Sequence, residues 1–206
     1  EFISRLKEIA DRHGILLIAD EVQTGAGRTG TWFACEQWPV APDLITTAKS
    51  LAGGFPLSGV VGRAEVIDAP AAGGLGGTYA GSPVACAAAL AVIKAFDDEK
   101  LLDRSKALGQ HLVNGFKAMA QTHKAIGDVR GLGAMVAIEL FEGGDVHRPD
   151  AALTRKVVAE AARRGLVLLS CGTYGNVIRV LVPLTASDAL IDEGLAIIEA
   201  SFAAVA

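Results

Sequence analysis

Apolar positions recur at helical spacing at Phe2, Leu6 and Ile9, which predicts a helix over Phe2–Arg12. Gly14 is expected to end it. Ile15-Leu16-Leu17-Ile18-Ala19 is then an unbroken apolar run that closes on Asp20-Glu21. Such a run predicts a strand buried on both faces, as in parallel sheets. Asp43–Thr47 predicts a second short buried strand ending near Lys49, and Gly59–Gly62, around Val60-Val61, a third. The Gly-rich stretches Thr24–Gly30 and Gly73–Pro83 read as loops. Ala-rich Ser82–Phe96 predicts a helix, with Ser82 at the N-cap and Pro83 at the first helical position. A further helix is expected over Asp98–Thr122.

The pattern changes in the second half. Ala134–Leu140 predicts a strand, and Ala151–Arg164 an amphipathic helix ended by Gly165. Leu166–Leu169 and Val177–Val182 predict strands around a Gly-Thr-Tyr-Gly turn. Ser187–Phe202 predicts a last helix, capped by Ser187 with Asp188 in its first turn. The expected fold is α/β. Residues 1–104 form part of a mostly parallel sheet domain, and residues 105–206 a smaller α+β domain.

Composition narrows the function classes. Hydrophobic residues make up 51% of the 206, which excludes a disordered chain. Lys+Arg is 19 against 23 Asp+Glu, a net charge of −4, which gives no basic footprint for a nucleic acid. The longest uncharged apolar run, Val84–Ile93, is well short of the roughly 20 residues of a membrane span. The three cysteines form no CxxC and the four histidines no HExxH, which disfavours a disulfide framework or a zinc site. That usage suits a reducing compartment, the cytoplasm. The chain opens on Glu1, already inside helix-like sequence, and is expected to be part of a longer polypeptide.

Four features carry chemistry. Asp20 ends a buried strand, at the sheet edge where ligands of open α/β sheets bind. The alternatives are a helix cap or a buried ion pair. Lys49 follows the second strand among glycines, where a lysine can act on carbonyls or simply point into water. The Gly73–Pro83 loop offers N–H groups and the Thr78 hydroxyl to a phosphate, or is only a turn. Arg179 interrupts an apolar strand, and reads as a carboxylate ligand or a structural ion pair. Pyridoxal phosphate chemistry needs these four parts: a lysine, a carboxylate for the ring nitrogen, donors for the phosphate and an arginine for the substrate carboxylate.

The residues that join these features are Asp20-Glu21-Val22-Gln23-Thr24-Gly25, Gly27-Arg28-Thr29-Gly30, Pro42-Asp43, Ala48-Lys49, Gly53-Gly54-Phe55-Pro56-Leu57 and Gly76-Gly77-Thr78-Tyr79. Taken together, the sequence resembles class III, fold-type I pyridoxal-phosphate aminotransferases over nearly its whole length. The resemblance implies that Asp20 pairs with the pyridine nitrogen, Val22 packs on the ring and Gln23 approaches the ring hydroxyl. It implies that Lys49 holds the cofactor as a Schiff base and moves the proton. It assigns Thr78 to the phosphate of a neighbouring subunit and Arg179 to the carboxylate of glutamate or 2-oxoglutarate. The implied reaction takes 4-aminobutyrate and 2-oxoglutarate to succinate semialdehyde and glutamate, in a homodimer or a dimer of dimers. Another ω-amine donor, 5-aminovalerate or ornithine, is an alternative, and so is a truncated module without catalysis. In this family the complete chain is about twice as long. The missing half, expected before Glu1, carries a Gly-Ser phosphate loop, the ring-stacking aromatic and the arginine for the 4-aminobutyrate carboxylate. The 206 residues alone are therefore expected to lack competent catalysis.

Overall fold

Helix α1 (Phe2–Arg12) ends where expected. Gly14 takes φ +64, and Ile15 N reaches back to Ala10 O at 2.8 Å, which closes the helix end. The structure is a computed structural model and describes residues 1–205. The chain divides into two units, Glu1–Leu102 and the stretch from Asp103 onward.

The first unit is built on three strands in the order β1 (Ile18–Asp20), β2 (Leu44–Thr47) and β3 (Gly59–Gly62). The α/β class is as expected, but the sheet is mixed rather than mostly parallel. β1 runs parallel to β2, with Asp20 opposite Thr46, while β3 runs antiparallel, with Gly59 opposite Thr47. The apolar run at Ile15 is also less regular than its pattern predicts. Only Ile18–Asp20 is strand, and Ile15, Leu16 and Ile18 are exposed. The stripe of Phe2, Leu6 and Ile9 on α1 is exposed as well. These side chains are apolar enough for a core, yet among the described residues nothing covers them.

Two helices follow β3: α2 (Ala64–Ile67) and α3 (Pro83–Asp98). Ser82 occupies the N-cap position of α3, but its side chain makes no capping hydrogen bond. Pro83 supplies the start instead, since its ring presets φ and its missing N–H costs nothing at that position. The next helix, α4, spans Leu101–Thr122 rather than starting at Asp98. Lys100, at φ +51, breaks the two apart.

Asp43 ties the first unit together. Its buried carboxylate accepts Leu17 N at 2.8 Å and Arg63 Nη1 at 2.8 Å, and Lys7 Nζ lies 3.4 Å away. One side chain thus joins α1, the entry to β1 and the exit from β3. The Arg63 hydrogen bond, helped by Leu17 N, holds the Asp43 carboxyl at about 2, below its ordinary 3.8. A depressed folded value means that the stabilisation is fully present above the unfolded value and is lost as pH falls through about 2. Asp43→Asn is therefore expected to be less stable than the parent at pH 7, with the gap closing between about pH 4 and pH 2. Denaturant melts across that range read the gap, and a gap constant with pH would remove Asp43 as an acid-sensitive tie.

The second unit carries an antiparallel sheet in the order β4 (Ile126–Leu132), β5 (Met135–Leu140), β7 (Val177–Val180), β6 (Leu169–Cys171). Helices α5 (Ala151–Arg163) and α6 (Asp188–Val205) complete it with α4. Val136, Ile138 and Leu140 alternate along β5 into the core, joined by Phe116, Val157, Ile178 and Phe202, all fully buried. Each such side chain contributes about 1.5–3 kcal/mol over exposure. Asp150 Oδ1 accepts Leu153 N at 2.8 Å and caps α5, and Ser187 Oγ accepts Leu190 N at 3.3 Å at the start of α6. β6 begins at Leu169, not Leu166, because Leu166 N is spent on Ala161 O in closing α5. β7 ends at Val180, two residues before the expected Val182. Among the described residues no helix is long and apolar enough to cross a membrane.

Candidate functional site

The edge formed by the C-terminal ends of β1 and β2 gathers the candidate residues of the first unit. Asp20 is the last residue of β1, and Lys49 lies three residues beyond Thr46, its partner in the ladder. Parallel pairing therefore brings a carboxylate and an amine to the same edge. Asp20 is exposed there. Its Oδ1 accepts Val22 N at 3.1 Å and Thr46 Oγ1 at 3.3 Å. These bonds aim the carboxylate and leave Oδ2 open to a ligand. Among the described residues Asp20 forms no ion pair, so the buried ion-pair alternative does not account for it, while the Val22 N bond is of the capping kind but closes a turn rather than a helix.

Lys49 is also exposed, and opens a 3-10 turn over Lys49–Ala52. Its backbone sits at φ +43, in the left-handed region that a residue with a Cβ seldom adopts. Strain of this kind costs about 1–3 kcal/mol and collects at working sites. Among the described residues no carboxylate pairs with its ammonium group, which leaves the amine available.

Val22 and Gln23, both half-buried, sit in the turn that leaves β1. Sequence reasoning quoted Glu21 in the motif but gave it no role. It is buried, and it fixes this turn. Its backbone N donates to Thr46 O at 2.9 Å, which extends the β1–β2 ladder past Asp20. Its Oε1 accepts Cys35 N at 2.8 Å, and its Oε2 accepts the Thr24 hydroxyl. No sequence signal separates Glu21 from the neighbouring Asp20, since both are carboxylates at the end of the same apolar run. Burial and the nearby Glu21 carboxylate push the Cys35 thiol up, which makes it a poor nucleophile.

Thr78 lies in the exposed loop between α2 and α3. Arg179 belongs to the other unit. It sits half-buried on β7, between Ala137 of β5 and Leu169 of β6, on the wall of a largely apolar cavity of about 410 Å³. Within the first unit the β1–β2 edge thus groups Asp20, Val22, Gln23 and Lys49.

The donor set at the edge fits pyridoxal phosphate. A carboxylate with one oxygen steadied and one open suits a protonated ring nitrogen, and a strained, unpaired lysine suits an aldehyde.

The family described as Aminotransferase class-III matches residues 1–202. A 5-aminovalerate aminotransferase of Pseudomonas putida is 66% identical over all 206 residues, which cover 48% of that protein. A 4-aminobutyrate aminotransferase of Escherichia coli is 64% identical over 201 residues, 98% of this chain and 47% of its own. Among solved structures, an amine transaminase from an uncultivated Pseudomonas species, in its PLP-bound form, superposes with a TM-score of 0.87 at 34% identity. That match covers 98% of this chain and 48% of the other. The chain spans about half the length of these relatives.

Proposed function

The chain belongs to the class-III aminotransferase family, and from that premise we propose that the full-length protein transfers the amino group of 4-aminobutyrate to 2-oxoglutarate. The products are succinate semialdehyde and glutamate. The observation that carries this reading is the placement of Asp20 and Lys49 at one sheet edge, Asp20 ending β1 and Lys49 three residues beyond its ladder partner Thr46. 5-Aminovalerate is the second reading, because the relative named for it is as similar as the one named for 4-aminobutyrate. The two donors share a terminal amine and carboxylate and differ by one methylene, a difference worth only about 1–3 kcal/mol in a pocket.

Pyridoxal phosphate, when bound, supplies an electron sink for the carbon that carries the amine. Asp20 Oδ2 would hold its ring nitrogen, Val22 would lie against its ring, Gln23 would meet its ring hydroxyl and Lys49 would anchor it. The Lys49 Nζ would also take a proton from the amine-bearing carbon of the substrate and return one. Thr78 donates to the phosphate held by a second copy of the chain, so a homodimer, or a dimer of dimers, is the working form. Arg179 takes the carboxylate of 2-oxoglutarate or glutamate through its planar fork of donors. The three free cysteines favour the cytoplasm.

The test is borohydride reduction of the full-length protein with pyridoxal phosphate, followed by peptide mapping. A pyridoxyl adduct on Lys49 is expected, and its absence would sink the reading. Rates with 4-aminobutyrate and 5-aminovalerate then rank the donors. Arg179→Ala is expected to raise KM for 2-oxoglutarate about 10–100-fold, the worth of a charged bidentate contact. KM for the amine donor should stay near the parent value. Equal losses for both substrates would remove Arg179 from carboxylate recognition.

A further inference from the structure

We propose that Glu21 is a positioning residue for the cofactor site, fixing the Asp20–Gln23 turn through two hydrogen bonds to the loop that follows it. This inference rests on the pyridoxal phosphate reading above. Glu21 is only 3% exposed, although it follows the exposed Asp20 directly. The chain at this point passes from a strand into a turn, and the two neighbours point to opposite sides. Asp20 faces outward, and Glu21 faces into the loop of residues 24–36.

Both Glu21 oxygens are occupied. Oε1 takes Cys35 N at 2.8 Å, and Oε2 takes the Thr24 hydroxyl. Among the described residues no cation pairs with Glu21, so these two donors are its whole side-chain anchorage. Its backbone is held equally firmly. Its N–H is bound to Thr46 O, and its carbonyl accepts Gly25 N at 2.9 Å. Gly25 leaves no room for slack, since a Cβ there would lie 2.7 Å from Glu21 O and 3.3 Å from Glu21 Cβ.

Asp20 depends on this arrangement. One of the bonds that orient its carboxylate comes from Val22 N, on the far side of Glu21. If the Glu21 side chain is lost, the turn is no longer tied to Thr24 and Cys35. Val22 N then no longer holds Asp20 Oδ1 in a fixed direction, and the ring contacts assigned to Val22 and Gln23 loosen with it. The chemistry is one of geometry rather than charge. A Gln at this position keeps both bonds, with its oxygen on Cys35 N and its amide N–H on the Thr24 oxygen.

The experiment uses the full-length protein freed of cofactor and titrated with pyridoxal phosphate. Affinity is read from the visible absorbance of the bound cofactor, and global stability from a separate melt. Glu21→Ala is expected to weaken binding about tenfold and to shift the absorbance maximum of what is bound. Glu21→Gln should stay within about threefold of the parent. If Glu21→Ala lowers only Tm and leaves affinity and absorbance unchanged, the residue is structural and the proposal fails. A Glu21→Gln as weak as Glu21→Ala also overturns it, because charge and not the two bonds would then matter. Should the alanine variant not fold, Glu21→Asp serves. It is one methylene too short to reach both donors, so an intermediate loss is expected and full affinity would overturn the proposal. A parent protein that binds no pyridoxal phosphate would defeat the cofactor reading itself, before any variant is compared.

Discussion

Lys49→Ala in the full-length protein is expected to reduce amino transfer by about 10³-fold or more, with the fold intact. Two losses combine. The amine that anchors the cofactor covalently is gone, and so is the base that moves the proton at the reacting carbon. Proton transfer by a placed side chain is by itself worth about 10²–10⁴-fold. The fold should survive because Lys49 is exposed and makes no ion pair among the described residues. The backbone cost at φ +43 is the same for alanine as for lysine, since both carry a Cβ. Lys49→Arg should fare no better than alanine, because a guanidinium stays protonated and cannot act as a nucleophile. Added methylamine should restore part of the rate in the alanine variant by replacing the lost amine. Single-turnover rates and a melt check both halves of this expectation. An alanine variant within about tenfold of the parent would end the assignment of Lys49 as the working base.

The sequence placed Asp20 and Lys49 just beyond two strands, and the structure brings both to one edge, while the roles given to them rest on the family resemblance. The strand itself was overread. Ile15–Ala19 has the composition of a strand covered on both faces, but only Ile18–Asp20 pairs, and Ile18 stays exposed. The stripe of Phe2, Leu6 and Ile9 on α1 is exposed in the same way.

Other misses were local. Gly127–Leu132 carries charge and glycine, so β4 was invisible to periodicity. It is a strand because β5 offers it a ladder from Ile126 to Leu132. Leu166 looked like strand and is the closure of α5, a role that depends on where its N–H finds a carbonyl. Glu21 could not be separated from Asp20 by sequence alone. Adjacent carboxylates look alike until the turn sends one outward and buries the other.

Two glycines of α4 should respond in opposite directions to the same change. Alanine is favoured over glycine in a helix by about 1 kcal/mol, so propensity alone makes both Gly109→Ala and Gly115→Ala stabilising. At Gly115 that expectation should hold or fall to neutral. A Cβ there meets only the ends of the Leu195 side chain, at 2.6 and 3.1 Å, and that side chain can turn away. At Gly109 a Cβ would lie 1.8 Å from Gly133 O and 2.4 Å from Gly133 C, atoms of the backbone. The turn cannot retreat freely, because Ala134 N is bonded to Ser105 Oγ at 3.2 Å, one helical turn before Gly109. Relief requires either breaking that bond or pushing α4 out of a core that holds Leu108, Leu112 and Phe116. Overpacking against rigid atoms costs about 1–3 kcal/mol or more, and the lost Ser105 bond adds about 1 kcal/mol. The net expectation for Gly109→Ala is therefore a loss of about 1–3 kcal/mol after the helix gain is subtracted. Denaturant melts of the two full-length variants measure the contrast directly. Equal shifts at the two positions would show that propensity governs both, and that the approach of α4 to the Gly133 turn is looser than these distances imply.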